Sequence, residues 1–336
     1  MKLDSTPSLF GEMETQGAFQ KSWYLKLNDP ENHRALWLRF SLLSTRNRFK
    51  RVAETTAVFF QKLAGREVKK IGLKQTHDIK AFSSPVKSDI RIGKCEIFEQ
   101  GTKGLIQSKN HSLSWNLSFT AERESTFDIL PGILSRSGLI RSSAVTLCED
   151  LLFSGTTEIN GEIIQWRQAP GMQGFSTGTK AGHSWVWGHC NTFLNESGKP
   201  TSFIFEGMST RAQIGPLVVP RLSSFYFYYQ DQNYYFNTLL DAIYIKSKHS
   251  LNTWEFQADR GELSFRGTVQ AEHKDFAGLT YEDTNGSLLY CTNSQIADMT
   301  ILVYRRGKLE ATFTSLGTGS FEIVSREKNP YVPLML

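Results

Sequence analysis

Residues 182–193 read GHSWVWGHCNTF, with two His, two Trp, one Cys and one Asn in twelve positions. In an extended strand, side chains alternate between two faces. His183, Trp185, Trp187, His189 and Asn191 then share one face, and Ser184, Val186, Gly188, Cys190 and Thr192 the other. Large aromatics and hydrogen-bonding groups thus stand together on one side, as in the wall of an apolar space with a few polar groups aimed into it. Downstream, TSFIFEGM carries one acid, Glu206, on an otherwise apolar strand. A carboxyl group in apolar surroundings keeps its proton near neutral pH and can act as a general acid. Aromatic faces stabilise a cation by up to about 2 kcal/mol per ring when desolvated. Glu206 and His183 are therefore the candidate catalytic residues. Glu206 as a strand-end carboxylate, in water or paired with Arg211, is the plainer alternative, as is simple packing for the two Trp.

Other chemistries fit less well. His183 and His189 lie about 20 Å apart along a strand, too far to share one metal ion. No His-x-His, His-x-x-Glu-His or paired-Cys spacing supplies further ligands. Gly174-Phe175-Ser176-Thr177-Gly178 has the Gly-x-Ser-x-Gly spacing but no helical pattern follows it as a hydrolase's nucleophile elbow requires, and GTGSFEI near residue 317 reads as a turn, not a phosphate loop. The expectation is no metal and no cofactor. The run SSFYFYYQDQNYYFN (223–237) holds eight aromatic residues in fifteen. A stacking surface for nucleic acid needs interleaved basic residues, and Asp231 and neutral amides interrupt this run instead. It reads as a ligand lining or a packed wall, with Phe225, Phe227 and Tyr229 on one face and Tyr226 and Tyr228 on the other. Trp185, Trp187, His189, Asn191, Tyr226, Tyr228 and Trp23 are the candidate substrate-binding residues.

The elements that would carry these groups are strands. Period-two patterns dominate the 336 residues, and aromatics make up 12%. KSWYLKLNDPENHRALWLRF reads as a hairpin, and Asn160-Gly161 as a tight two-residue turn. Helical periodicity is weak, with short candidates near 57–64 and at 293–298. Net charge is +5, but the densest basic cluster, RNRFKR with REVKK, is modest and reads as a solvated face. The four Cys are widely spaced, as buried reduced thiols are. The first sixteen residues lack a leader's apolar run, and no window of about 20 apolar residues suits a spanning helix. A cytoplasmic protein without a spanning segment is the expectation.

The two halves repeat. KSWYLKLNDPENHRALWLRFSLL matches HSWVWGHCNTFLNESGKPTSFIFEGM in texture. EQGTKGLIQSKNHSLSWNLSFTAE matches ADRGELSFRGTVQAE, and LCEDLLFSGTTEINGEIIQW matches RRGKLEATFTSLGTGSFEIVS. Two tandem antiparallel β-barrels follow, over 1–170 and 171–336, with a linker near 167–181, and the polar face of residues 182–193 is expected to line the inside of the second barrel.

With the WYLKL…ALWLRF and FSGTTEINGEIIQW runs, GHSWVWGHCNTF resembles the two-domain lipocalin-like superfamily of carotenoid hydratases, plant-type tocopherol cyclases and lipocalin-type pericyclases. The resemblance implies two lipocalin-like barrels packed side by side, with a hydrophobic polyene or isoprenoid-like ligand in or between them. It implies a His-x-Trp strand, matched by His183 and Trp185, and a Tyr-x-Asp on the returning strand whose Asp is the acid. Here that strand offers Ile204-Phe205-Glu206, without the Tyr; a literal Tyr-x-Asp does occur at Tyr281-Glu282-Asp283, far downstream before a turn, where it reads as part of a loop. Three functions remain open. The chain is an enzyme that hydrates, cyclises or isomerises an apolar substrate, a lipid or pigment carrier, or a structural protein whose aromatics are core.

Overall fold

The computed structural model describes residues 17–63, 67–84, 89–123, 125–129, 142–214, 217–238, 240–241 and 245–336. The sixteen residues read as lacking a leader, and residues 64–66 of the helical candidate and the basic cluster, lie outside these. The first half holds β1 (Phe19–Asp29), β2 (Arg34–Ser44), β3 (Arg51–Lys62) and β4 (Val68–Asp78). The short strands β5 (Phe82–Ser83), β6 (Ile90–Ile92) and β7 (Cys95–Phe98) follow. Then come β8 (Gly101–Gln107), β9 (Ser112–Ala121), β10 (Phe127–Asp128), β11 (Ser142–Ile159) and β12 (Glu162–Gly178). The second half opens with β13 (Ser184–Cys190), β14 (Ile204–Arg211), β15 (Gln213–Ile214) and β16 (Leu217–Val218). It continues through β17 (Leu222–Tyr229), β18 (Gln232–Phe236), β19 (Lys246–His249) and β20 (Thr253–Arg260). It closes with β21 (Leu263–Gln270), β22 (Ala277–Glu282), β23 (Leu288–Arg305) and β24 (Lys308–Ser325). Among the described residues no helix is long and apolar enough to cross a membrane.

The duplication is explicit in the strand order. One sheet runs β4-β3-β2-β1-β12-β11-β9-β8-β7-β6-β5 and the other β18-β17-β14-β13-β24-β23-β21-β20-β19. The first nine strands correspond one to one, and β10 and β22 each pair only with the long strand, β11 or β23. All pairings along both sheets are antiparallel, and the first sheet curls so that β3 and β4 approach β6 and β8. The third pair of matching segments is one strand out of step. The Asn160-Gly161 turn between β11 and β12 answers the Arg306-Gly307 turn between β23 and β24, not the 317 region. Both turns put positive φ at both central residues, 52° and 88° in one and 52° and 76° in the other.

Other expectations are corrected. Residues 57–62 belong to β3, where Phe59 faces the first core and Val58 and Phe60 the contact between halves. Burial on both faces erases the alternation that marks a strand. Residues 293–298 lie in β23, whose register shifts at Ser294, Ala297 and Met299 and so breaks the period of two. Most of the expected linker is β12, and the chain passes between sheets only after Gly178. GTGSFEI is strand as well, inside β24.

Each sheet wraps a filled core. In the second, Phe227 stacks on Phe265 at 4.2 Å between centroids, Phe225 on Phe256 at 4.6 Å and Phe203 on Phe313 at 4.1 Å. Gly267 opposes Phe256, and a Cβ there would stand 2.0 Å from the ring. Gly267→Ala is therefore expected to destabilise the protein by about 1–3 kcal/mol, the usual cost of overpacking. Urea unfolding checks this; an unchanged midpoint would show that the ring can move aside.

Candidate functional site

The ladder fixes what the β13 face meets. His189 stands opposite Glu206 on β14, and Glu206 opposite Tyr226 on β17, while Trp187 stands opposite Glu322 on β24. Residues paired across a ladder project to the same side. The other face of β13, with Val186 and Cys190, packs into the aromatic core of the second half. The polar face therefore turns outward, against the first half. The expectation that it lines the interior of the second barrel is corrected: packed rings fill that interior. The first half answers with the outward face of β1, where Tyr24, Lys26 and Asn28 alternate with the core residues Trp23, Leu25 and Leu27.

Between the halves lies a layer of buried polar groups. Lys26, Glu149, His189 and Glu206 are each 0% exposed. Glu206 Oε1 accepts from Thr146 Oγ1 at 2.7 Å and from Trp187 Nε1 at 2.9 Å. His189 Nε2 sits 2.9 Å from the Glu149 carbonyl oxygen, so Nε2 carries the proton and Nδ1 is an acceptor. Glu149 Oε2 accepts from Ser125. Lys26 Nζ donates to Asn28 Oδ1 at 2.9 Å, Asn28 Nδ2 to the Gln295 carbonyl at 2.7 Å, and Asn191 Nδ2 to Asp150 at 3.0 Å. Glu206 Oε2, Glu149 Oε1 and His189 Nδ1 are buried without a hydrogen-bond partner. Because Glu206 Oε1 already receives two donors, a proton on this carboxyl belongs on Oε2.

The layer is charged only at a cost. Burial lifts Glu206 above the ordinary carboxylate range, against the Thr146 and Trp187 hydrogen bonds and the Lys26 ammonium. Glu149 is lifted by burial and then by Glu206. Burial lowers Lys26 to about 8 and holds His189 well below its usual value, with Lys26 pushing His189 the same way. A carboxyl with a raised folded-state pKa keeps its proton where the unfolded chain has lost it, so it favours folding at low pH and loses that advantage as pH rises through its folded pKa. Glu206→Gln fixes the neutral form. Its stability relative to the parent is expected to grow between about pH 5 and about pH 8, read from urea midpoints. A gap that does not change with pH would mean that Glu206 titrates normally.

Next to this layer is a cavity of about 150 Å³. Its apolar wall includes Trp37, Trp185, Trp187, Met208 and Leu289, and Tyr24, Arg39, Tyr281 and Glu322 bring polar groups to it. Tyr24 lies across Gly174 on β12, where a Cβ would meet the phenol ring at 2.3 Å, and makes an edge contact with Trp187 at 6.0 Å. Burial raises its hydroxyl well above the usual value, and Glu206 and Glu322 add to this from their two positions. Glu322 Oε1 accepts from Trp185 Nε1 at 2.9 Å, and Oε2 from Tyr281 Oη and Asn293 Nδ2, both at 3.0 Å.

The nine candidates divide. Trp185 and Trp187 line the cavity. Glu206, His189 and Asn191 belong to the polar layer behind it, outside the cavity lining. His183 stands half-exposed just before β13, its Nδ1 3.4 Å from Ser184 Oγ, with burial and then Arg326, Arg211 and Lys180 lowering its pKa. Tyr226 is buried against Phe127 of the first half and donates to Asn233 at 2.8 Å. Tyr228 is covered by the Arg123 guanidinium, 3.7 Å from its ring centre, and donates to Asp231. Trp23 does not reach the site: it points into the first core against Phe82 and Phe175, because Tyr24 takes the outward position. Glu322, Tyr281, Tyr24 and Arg39 were missed as site residues. Tyr281 had a signal, the Tyr-x-Asp text, but it lies on β22 and not in a loop. Among the described residues, no three His, Cys, Asp or Glu side chains are grouped to hold a metal ion.

No family model and no curated protein matches the sequence. Solved structures do match the fold. A protein assigned as AttH from Nitrosomonas europaea superposes with a TM-score of 0.52 at 11% identity, over 95% of this chain and 96% of that one. Kievitone hydratase from Nectria haematococca gives 0.52 at 11% identity, over 91% and 88%. With its two matched antiparallel sheets, the chain has the two-domain lipocalin-like fold of these structures.

Proposed function

We propose that the protein binds a small, largely apolar molecule in the cavity between its halves and moves a proton at one of its carbons, as a hydratase or isomerase does. The observation that carries this is Glu322, a carboxyl group on an aromatic-walled cavity, positioned by Trp185 and Tyr281. Glu322 takes a proton from the guest, or from a water beside it, and returns one. The rings of Trp185, Trp187 and Tyr24 shield the charge that develops. Glu206 lies behind this wall and acts through Thr146 and Trp187, so its role is to position the aromatic side and not to touch the guest. A volume near 150 Å³ suits one ring or the branched end of an isoprenoid, with any longer tail outside. The superposition on a hydratase agrees with the reaction class and adds nothing on the substrate.

Carriage without chemistry is the second reading, favoured by the burial of Glu206 away from the cavity. Native mass spectrometry of protein purified from its own source, followed by organic extraction, identifies the guest. Incubating that guest with the protein in heavy water then separates the two readings. Deuterium fixed at carbon supports the enzyme, and a bound guest without label supports the carrier. Protein that holds no guest and takes up no apolar probe would overturn both.

A further inference from the structure

Resting on that reading of the cavity, we infer that the guest carries a carboxylate, and that Arg39 on β2 is the residue that selects it. A second cavity, also about 150 Å³, is lined by Leu42, Lys50, Glu54, Lys74, Glu282 and others. It shares Gln20, Arg39 and Tyr281 with the aromatic one, so these three stand where the two spaces meet. Arg39 is the cation common to both.

Its surroundings fit an anion from outside the protein. Among the described residues, no carboxylate lies within 4.0 Å of the Arg39 guanidinium, although seven Arg–carboxylate pairs form elsewhere. Lys50, on the same second cavity, is already paired with Glu282. The guanidinium is held in place without being neutralised: Nη2 donates to Ser22 Oγ at 2.8 Å, and Cζ sits 4.3 Å from the centre of the Tyr281 ring. Those contacts fix its plane, and among the described residues they use one of its five N–H donors. A guanidinium whose plane is set matches a planar carboxylate, which it binds through two parallel hydrogen bonds. Lys50 and Lys74 line the second cavity with Arg39 but not the aromatic one, so a guest seated in the aromatic cavity meets one cation, Arg39, which suits a single carboxylate.

The arrangement also sorts the two ends of the guest. The apolar body lies against Trp37, Trp185, Trp187 and Met208, where Glu322 reaches it, and the carboxylate sits at the neck on Arg39. Tyr281 donates its hydroxyl to Glu322 and carries the Arg39 guanidinium over its ring, and among the described residues Arg39 and Glu322 form no ion pair within 4.0 Å.

The test uses a matched pair of one-ring probes, benzoate and benzamide, which differ in charge and hardly in shape, titrated calorimetrically into the full chain. The parent protein is expected to bind the carboxylate about tenfold more tightly than the amide, the size of one charge-assisted contact. Arg39→Gln keeps a donor for Ser22 and is expected to bring the two probes within about threefold of each other, with amide binding unchanged. Equal binding of both probes by the parent would overturn the assignment of a carboxylate, whatever the variant does. A preference that survives Arg39→Gln would overturn the role of Arg39. If neither probe binds saturably, the cavity reading falls and this inference with it.

Discussion

Glu322→Gln is expected to leave the guest bound and to slow proton transfer to its carbon by about two to four orders of magnitude, the usual contribution of a positioned acid or base. Gln has nearly the same shape: its oxygen can still accept from Trp185 Nε1 and its amide can donate to Tyr281 Oη, so those two walls of the cavity keep a partner while Asn293 Nδ2 loses its acceptor. What disappears is a group able to carry a proton back and forth. The measurement is the rate of deuterium incorporation at saturating guest, beside the dissociation constant for the same guest. A dissociation constant within about threefold of the parent, with a collapsed rate, separates a reacting group from a packing one. An unchanged rate would reduce Glu322 to part of the wall. Glu206→Gln is expected to have the smaller kinetic effect, because it touches Trp187 and Thr146 and not the cavity.

The second large effect concerns folding. Asp283 is 0% exposed and its carboxylate receives the backbone N–H of Ala181 at 2.9 Å, that of Thr284 at 2.7 Å and Arg326 Nη2 at 2.8 Å. Ala181 lies in the five-residue passage from β12 to β13, so one carboxylate ties the crossing between the halves to the turn after β22. Asp283→Ala is expected to lower stability by about 2–4 kcal/mol, since it leaves the backbone N–H groups of buried Ala181 and Thr284 without their acceptor and removes the ion-pair partner of Arg326, whose side chain is 24% exposed. Chemical unfolding at constant pH reads this directly. A loss below about 1 kcal/mol would mean that water enters the site and solvates Arg326.

These residues show what could be read in advance. The aromatic and polar alternation of β13 was legible because a strand's period of two is local. The duplication was legible in the first two pairs of segments, whose polar turns fall at the same places, while the third pair was matched one strand out of step. What the β13 face meets was not legible. Val186 and Cys190 look no more like core than Trp187 and His189 do, since both faces of the strand are buried, one against its own sheet and one against the other half. Glu322 gave no local signal either: in GSFEIVS it is an ordinary strand acid, and its meaning comes from Trp185 on a neighbouring strand and Tyr281 on β22. Tyr281 and Asp283 stood out as a pair in the text, yet the turn that follows hid that one faces the cavity and the other holds the fold together.

The one-to-one strand order also bears on the contact between the halves. Counting along the matched ladders from Gly171 and Gly319 puts Lys26 of β1 and His189 of β13 at the same place in the two copies. In a symmetric pair of identical subunits every such position occurs twice and must be the same residue. Two copies in one chain carry no such obligation. Lys26 and His189 present an ammonium and an imidazole from equivalent places to the same buried layer, so the contact between the halves joins two like sheets through unlike groups.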